Sequence, residues 1–128
     1  MENNELYFFK TTILNWKKLL KPDKFKMIII DSLKNLVHRN KIKVYAYVIM
    51  DNHIHLIWEL LENNGKEQAH ASFMKFTSHE FKKVLVAHHP QVLEYFKVES
   101  ITRKYQFWIR DSLAIILYSP DVINQKID

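Results

Sequence analysis

The 128-residue chain is expected to fold as one α+β domain, an antiparallel sheet with helices packed on it in a ferredoxin-like arrangement. Three observations carry this. Hydrophobic periodicities of two and of 3.6 residues alternate in the order strand, helix, strand, strand, helix, strand, helix. Inside Tyr45–Leu60 (YAYVIMDNHIHLIWEL) two apolar runs are parted only by Asp51-Asn52, the spacing of an antiparallel hairpin. With 48% hydrophobic residues, the chain has enough apolar material to bury a core between such layers.

The elements follow in order. Residues 5–14 (ELYFFKTTIL) are rich in aromatic and β-branched types and predict the first strand. Pro22-Asp23 opens a helix that runs to about Arg39, because Phe25, Ile29, Leu33 and Leu36 recur at three- or four-residue spacing. Lys43–Met50 and Asn52–Leu61 form the hairpin strands, with Tyr45 and Tyr47 expected to be packed. Lys66–His88 reads as a second helix with Phe73, Phe76, Phe81, Val84 and Leu85 inward and Lys75, Lys82 and Lys83 outward, and residues 91–97 add a helical turn. A further strand is expected at Tyr105–Arg110, with Leu113–Leu117 as another candidate. Ser119-Pro120 signals the start of a last helix, of which the sequence holds fewer than three turns before Asp128, so that it is expected to be incomplete.

Composition narrows the chemistry. A single glycine excludes the phosphate-cradling loops of P-loop and dinucleotide-binding proteins, so no nucleotide cofactor is expected. Without cysteine there are no disulfides and no thiolate metal sites, and any metal must sit on His, Asp or Glu. No apolar run approaches the roughly 20 residues of a membrane span, and MENNELYFF lacks the pattern of a signal peptide, so the chain is expected to be cytoplasmic. The net charge of +5 fits a nucleic-acid partner but discriminates weakly, because many solvated surfaces are as basic.

The sharpest chemical signal is His53-Ile54-His55. On a strand, Ile54, Leu56 and Trp58 point to one face and His53, His55, Ile57 and Glu59 to the other. Two imidazoles at i and i+2 stand roughly 7 Å apart along the strand, within reach of one divalent metal after modest rotamer adjustment. An isolated H-x-H is more often a pair of surface residues, but the context removes several rivals. A histidine-triad hydrolase needs a third alternating histidine where this chain has Ile57. A metal-dependent amidohydrolase barrel needs roughly 200 residues or more, and a cupin barrel many strands with glycine turns.

YVIMDNHIHLIWEL resembles the signature strand pair of the HUH single-tyrosine transposases, in particular the REP-associated tyrosine transposase-like (IS200-like) group. TTILNWKKLLKPDKFK resembles that family's first strand and helix entry, and FMKFTSHEF, YQFWIRDS and LYSPDVINQKID its later segments; Asp51 departs from the proline often found before the Asn. The resemblance implies that His53 and His55, with a third ligand, hold Mg²⁺ or Mn²⁺. It implies cleavage and rejoining of single-stranded or hairpin DNA by a homodimer through a 5′-phosphotyrosine. The family's nucleophilic tyrosine lies in a Y-I-x-x-N-P pattern that would begin immediately after Asp128, so this chain is expected not to cut DNA. Among internal tyrosines, Tyr118 is the least implausible substitute, although a core or cap role is expected for it.

DNA contacts are expected from Lys17, Lys18 and Lys21 after the first strand and from Arg103, Lys104 and Arg110. Phe107 and Trp108 are read as core rather than base-stacking residues, and His70, His79, His88 and His89 as surface or helix-end residues. Two alternatives stand beside the transposase: a non-catalytic nucleic-acid-binding module of the same fold, and a small-phosphoester hydrolase that recruits Glu59 as a carboxylate ligand.

Overall fold

The computed structural model describes residues 1–117; Tyr118 and the helix signalled at Ser119 lie outside the described residues. The chain forms β1 (Leu6–Thr12), α1 (Asp23–His38), β2 (Ile42–Ile49), β3 (His53–Leu60), α2 (Ala69–His88), a short α3 (Pro90–Leu93) and β4 (Leu113–Ile116). The four strands make one sheet in the order β2-β3-β1-β4, and every neighbouring pair is antiparallel. The fold is therefore the α+β arrangement expected, and β1 and β2 run parallel to one another with β3 between them.

Apolar alternation decides which face the helices cover. Phe9 on β1 and Ile54, Leu56 and Trp58 on β3 are each exposed by 1% or less. Phe9 stacks on Trp58 with ring centroids 5.1 Å apart, and Phe73 of α2 meets Trp58 edge-on at 5.8 Å. Phe25, Ile29, Leu33 and Leu36 bring the apolar stripe of α1 into the same core, where Phe25 lies 6.0 Å from Phe81 of α2.

Four expectations are corrected. Tyr105–Arg110 is not a strand: among the described residues its β-pairing is confined to the isolated bridges Lys97↔Tyr105 and Ile13↔Trp108, and the fourth strand is Leu113–Ile116. The aromatic content that suggested a strand serves the core instead. Phe107 packs 5.1 Å from Phe96 and 5.9 Å from Phe81, and the Trp108 indole donates to Thr77 Oγ1 at 2.9 Å. β-Propensity reports fit to a packed, half-buried surface, and here that surface is the middle of α2 together with Phe96 rather than a neighbouring strand. Tyr45 and Tyr47 are half exposed rather than packed, because β2 is, among the described residues, an edge strand with a register shift between Val44 and Ala46. Phe76 lies on the outer side of α2, and that helix begins at Ala69 rather than Lys66.

Phe81 joins α1, α2 and the Phe107-Trp108 segment, and it is fully buried. Phe81→Ala is expected to lower the unfolding free energy by ~3–5 kcal/mol in urea denaturation. Phe76→Ala, at an exposed site, is expected to change it by no more than ~0.5 kcal/mol.

Candidate functional site

The hairpin turn sets the position of the histidines. Met50 N donates to His53 O at 2.8 Å, closing the turn around Asp51-Asn52. Two further main-chain bonds fasten it to the β1 exit: Ile13 N donates to Asn52 O at 2.8 Å and Leu20 N to Asp51 O at 2.9 Å. With β3 so anchored and its other face buried, His53 and His55 emerge half-buried on the face away from the helices.

The two imidazole rings stand edge to face with centroids 4.9 Å apart. The His53 Nδ1–H donates to Asn52 Oδ1 at 2.7 Å, and Asn52 Nδ2 donates in turn to the Trp16 carbonyl at 3.3 Å. Because that second bond commits the amide nitrogen of Asn52, its oxygen faces His53 and sets the tautomer. His53 Nε2 is left with its lone pair, the state a metal ligand needs. Phe8 lies 5.6 Å from the His55 ring, and Ile57, in register with Phe8 and Ala46, lines the same face.

Burial and nearby charge both disfavour protonation of the two rings. Burial lowers the His53 pKa, with the Lys10 charge adding to it. Burial also lowers that of His55, reinforced by His53 and then Lys10. Lys10 stands directly across from His55 on β1, and Thr12 across from His53. Neutral imidazoles bind cations without first losing a proton. The donor set therefore fits two positions of a metal site, and among the described residues no third His, Asp or Glu joins them. Glu59 is no substitute: four residues from His55, it is roughly 13 Å farther along the strand and accepts a hydrogen bond from the Tyr45 hydroxyl at 3.1 Å. The hydrolase reading loses its ligand.

The basic residues divide. Ile109 N bonds Thr12 O at 2.8 Å, which carries the exposed Arg110 to the histidine end of β1. Lys17 and Lys18 leave the same end; Lys17 is half-buried with Nζ 4.8 Å from the centre of the Tyr95 ring, and Lys18 is exposed. Arg103 and Lys104 are exposed on a separate loop closed by Val98 N donating to Lys104 O at 3.0 Å.

Four residues of this site have roles that the sequence alone does not single out. Lys10 is the one basic residue of β1, yet its place opposite His55 depends on a register set between distant segments. Asn52 was noted as part of the motif, but its hold on the ring was not. Asn15 and Trp16 take consecutive left-handed conformations, φ 58° and 54°, each a strain of order 1–3 kcal/mol for a residue with a side chain.

A base whose pKa is lowered on folding binds protons more readily in the unfolded chain, so its contribution to stability declines as pH falls through the unfolded value of 6.5. Unfolding midpoints measured from pH 7.5 down to pH 5 are expected to drop in that window. The drop should be shallower in the His53→Ala/His55→Ala variant, with half-buried His70, also lowered by burial, supplying the remainder.

No protein-family model and no curated protein sequence matches the chain. Among solved structures, the fold is similar to that of a REP-associated tyrosine transposase bound to a REP hairpin, with a TM-score of 0.63 and 14% sequence identity. The similarity covers 98% of this chain, which spans 64% of the other. At that identity the likeness establishes a shared fold.

Proposed function

We propose that the chain handles single-stranded or hairpin DNA at the His53–His55 face, as part of a single-tyrosine, metal-dependent DNA strand transferase. The observation that carries this reading is the pair of imidazoles 4.9 Å apart on the sheet face away from the helices, in a fold shared with a transposase. When bound, Mn²⁺ or Mg²⁺ would polarise the scissile phosphate and offset the charge that builds as phosphorus becomes five-coordinate. Nitrogen donors suit a transition metal better than the oxygen-seeking Mg²⁺, which favours Mn²⁺ here.

The residues of this chain do the positioning. His53, oriented by Asn52, and His55, backed by Phe8, hold two coordination positions. Lys10 supplies positive charge beside them for a phosphate, and Lys17, Lys18 and Arg110 neutralise the DNA backbone on either side. Arg103 and Lys104, on their separate loop, would meet DNA farther from the metal. In this reading the attacking group is a tyrosine hydroxyl outside the described residues. Two copies are proposed to act together, meeting along β2, an edge strand among the described residues that exposes Tyr45, Tyr47 and Val48. If so, Val48→Lys should leave only monomer in sedimentation, since charge on an edge strand opposes pairing.

The lack of a third ligand among the described residues favours one other reading, a DNA-binding module without catalysis. A denaturing-gel assay with labelled hairpin DNA and Mn²⁺ separates the two. On the transposase reading, a chain extended past Asp128 forms a covalent adduct, and His53→Ala/His55→Ala or chelation of the metal abolishes it. Asn52→Ala should weaken Mn²⁺ binding about 10- to 100-fold, because it frees the His53 ring. No adduct from the extended chain, together with salt-sensitive DNA binding that survives the double histidine change, would leave the binding module.

A further inference from the structure

Trp16 is 74% exposed, while Trp58 and Trp108 are 0% and 5% exposed. It also occupies a left-handed backbone conformation that bulky residues rarely adopt, directly after Asn15 in the same state. Neither property helps the fold, since a large apolar ring left in water adds nothing to the core and glycine would fit the backbone without strain. The residue is nevertheless tied to the histidine site. Its N–H donates to Ile13 O at 2.9 Å, and its carbonyl accepts from Asn52 Nδ2, the same side chain that orients His53.

We propose that Trp16 is a stacking platform for an unpaired nucleobase of single-stranded DNA bound at the histidine face. The inference rests on the DNA-handling reading above and adds the group that favours unpaired over duplex DNA. An indole with free faces is the chemistry that stacks on a base, whatever its sequence. A base inside a duplex has both faces covered by its neighbours and cannot use it. Lys17 and Lys18 follow at once in the chain, within reach of the phosphates that flank a stacked base, and Arg110 lies at the same end of β1. Trp16 is thus a positioning residue: it registers the strand relative to His53 and His55 without touching the reacting phosphate.

The test is fluorescence anisotropy on the 128-residue chain with two labelled single-stranded oligonucleotides, one with all its bases and one carrying abasic sites. Trp16→Ala is expected to weaken binding to the first about 5- to 150-fold, the range of one base–aromatic stack, and to leave binding to the second unchanged. Trp16→Phe should retain most of the affinity. Trp16→Gly should lose affinity as alanine does while unfolding at the same or a higher temperature, because glycine relieves the backbone; a merely structural role predicts a lower one. Emission from the exposed indole should be quenched by the base-bearing oligonucleotide and not by the abasic one. If the parent chain binds single-stranded DNA and Trp16→Ala binds the base-bearing oligonucleotide equally well, this inference fails alone. Equal losses on both oligonucleotides, or unfolding of the glycine variant, would also overturn it. If the parent chain binds no single-stranded DNA, the DNA-handling reading fails with it.

Discussion

Burial of Ile54, Leu56 and Trp58 beneath the two long helices is the constraint on which the histidine face depends. Side chains alternate along a strand, so placing these three in the core obliges His53 and His55 to leave from the other side. A slip of one residue would drive both imidazoles into an apolar interior and turn an indole toward water. The irregularity near Tyr45 falls on β2, and β3 keeps continuous pairing with β1 from Thr12↔His53 to Leu6↔Glu59. The sheet thus concentrates its irregularity where it does not disturb the two histidines.

A second layer of control comes from the β1 exit. Ile13, Leu19 and Leu20 are buried, and the main-chain N–H groups of Ile13 and Leu20 grip the carbonyls of the hairpin turn. The segment between them carries the left-handed Asn15 and Trp16, held in place by anchors on both sides. Strain of this kind persists where the surroundings over-determine the backbone, and such places cluster at functional sites. Asn52 is where the constraints meet: its main-chain carbonyl ties down the turn, and its side chain joins Trp16 to the His53 ring. Orientation of the His53 ring, geometry of a turn and presentation of an exposed indole therefore depend on one residue.

Much of this was legible along the chain. The alternation within HIHLIWEL and the short break at Asp51-Asn52 are local patterns, and both the hairpin and the division of faces matched them. The stripe of α1 was readable for the same reason. The segment around Phe107 and Trp108 was not, because an aromatic run fits a strand and an irregular core plug equally well. Only the contacts with Phe81, Phe96 and Thr77 tell them apart. Tyr45 and Tyr47 were misjudged for a related reason: the pattern of a strand does not say whether it lies at the centre or the edge of a sheet.

The residue types at the site and the face they share followed from short-range order, since a period of two and a turn of two residues need no knowledge of the rest of the molecule. The company they keep did not. Lys10 opposite His55, the Trp16 carbonyl on Asn52 and Arg110 beside Thr12 all arise from hydrogen bonds between segments far apart in the chain. Register between such segments is a property of the packed sheet, set by which side chains the common core can accept, and it leaves no mark on any one stretch of sequence.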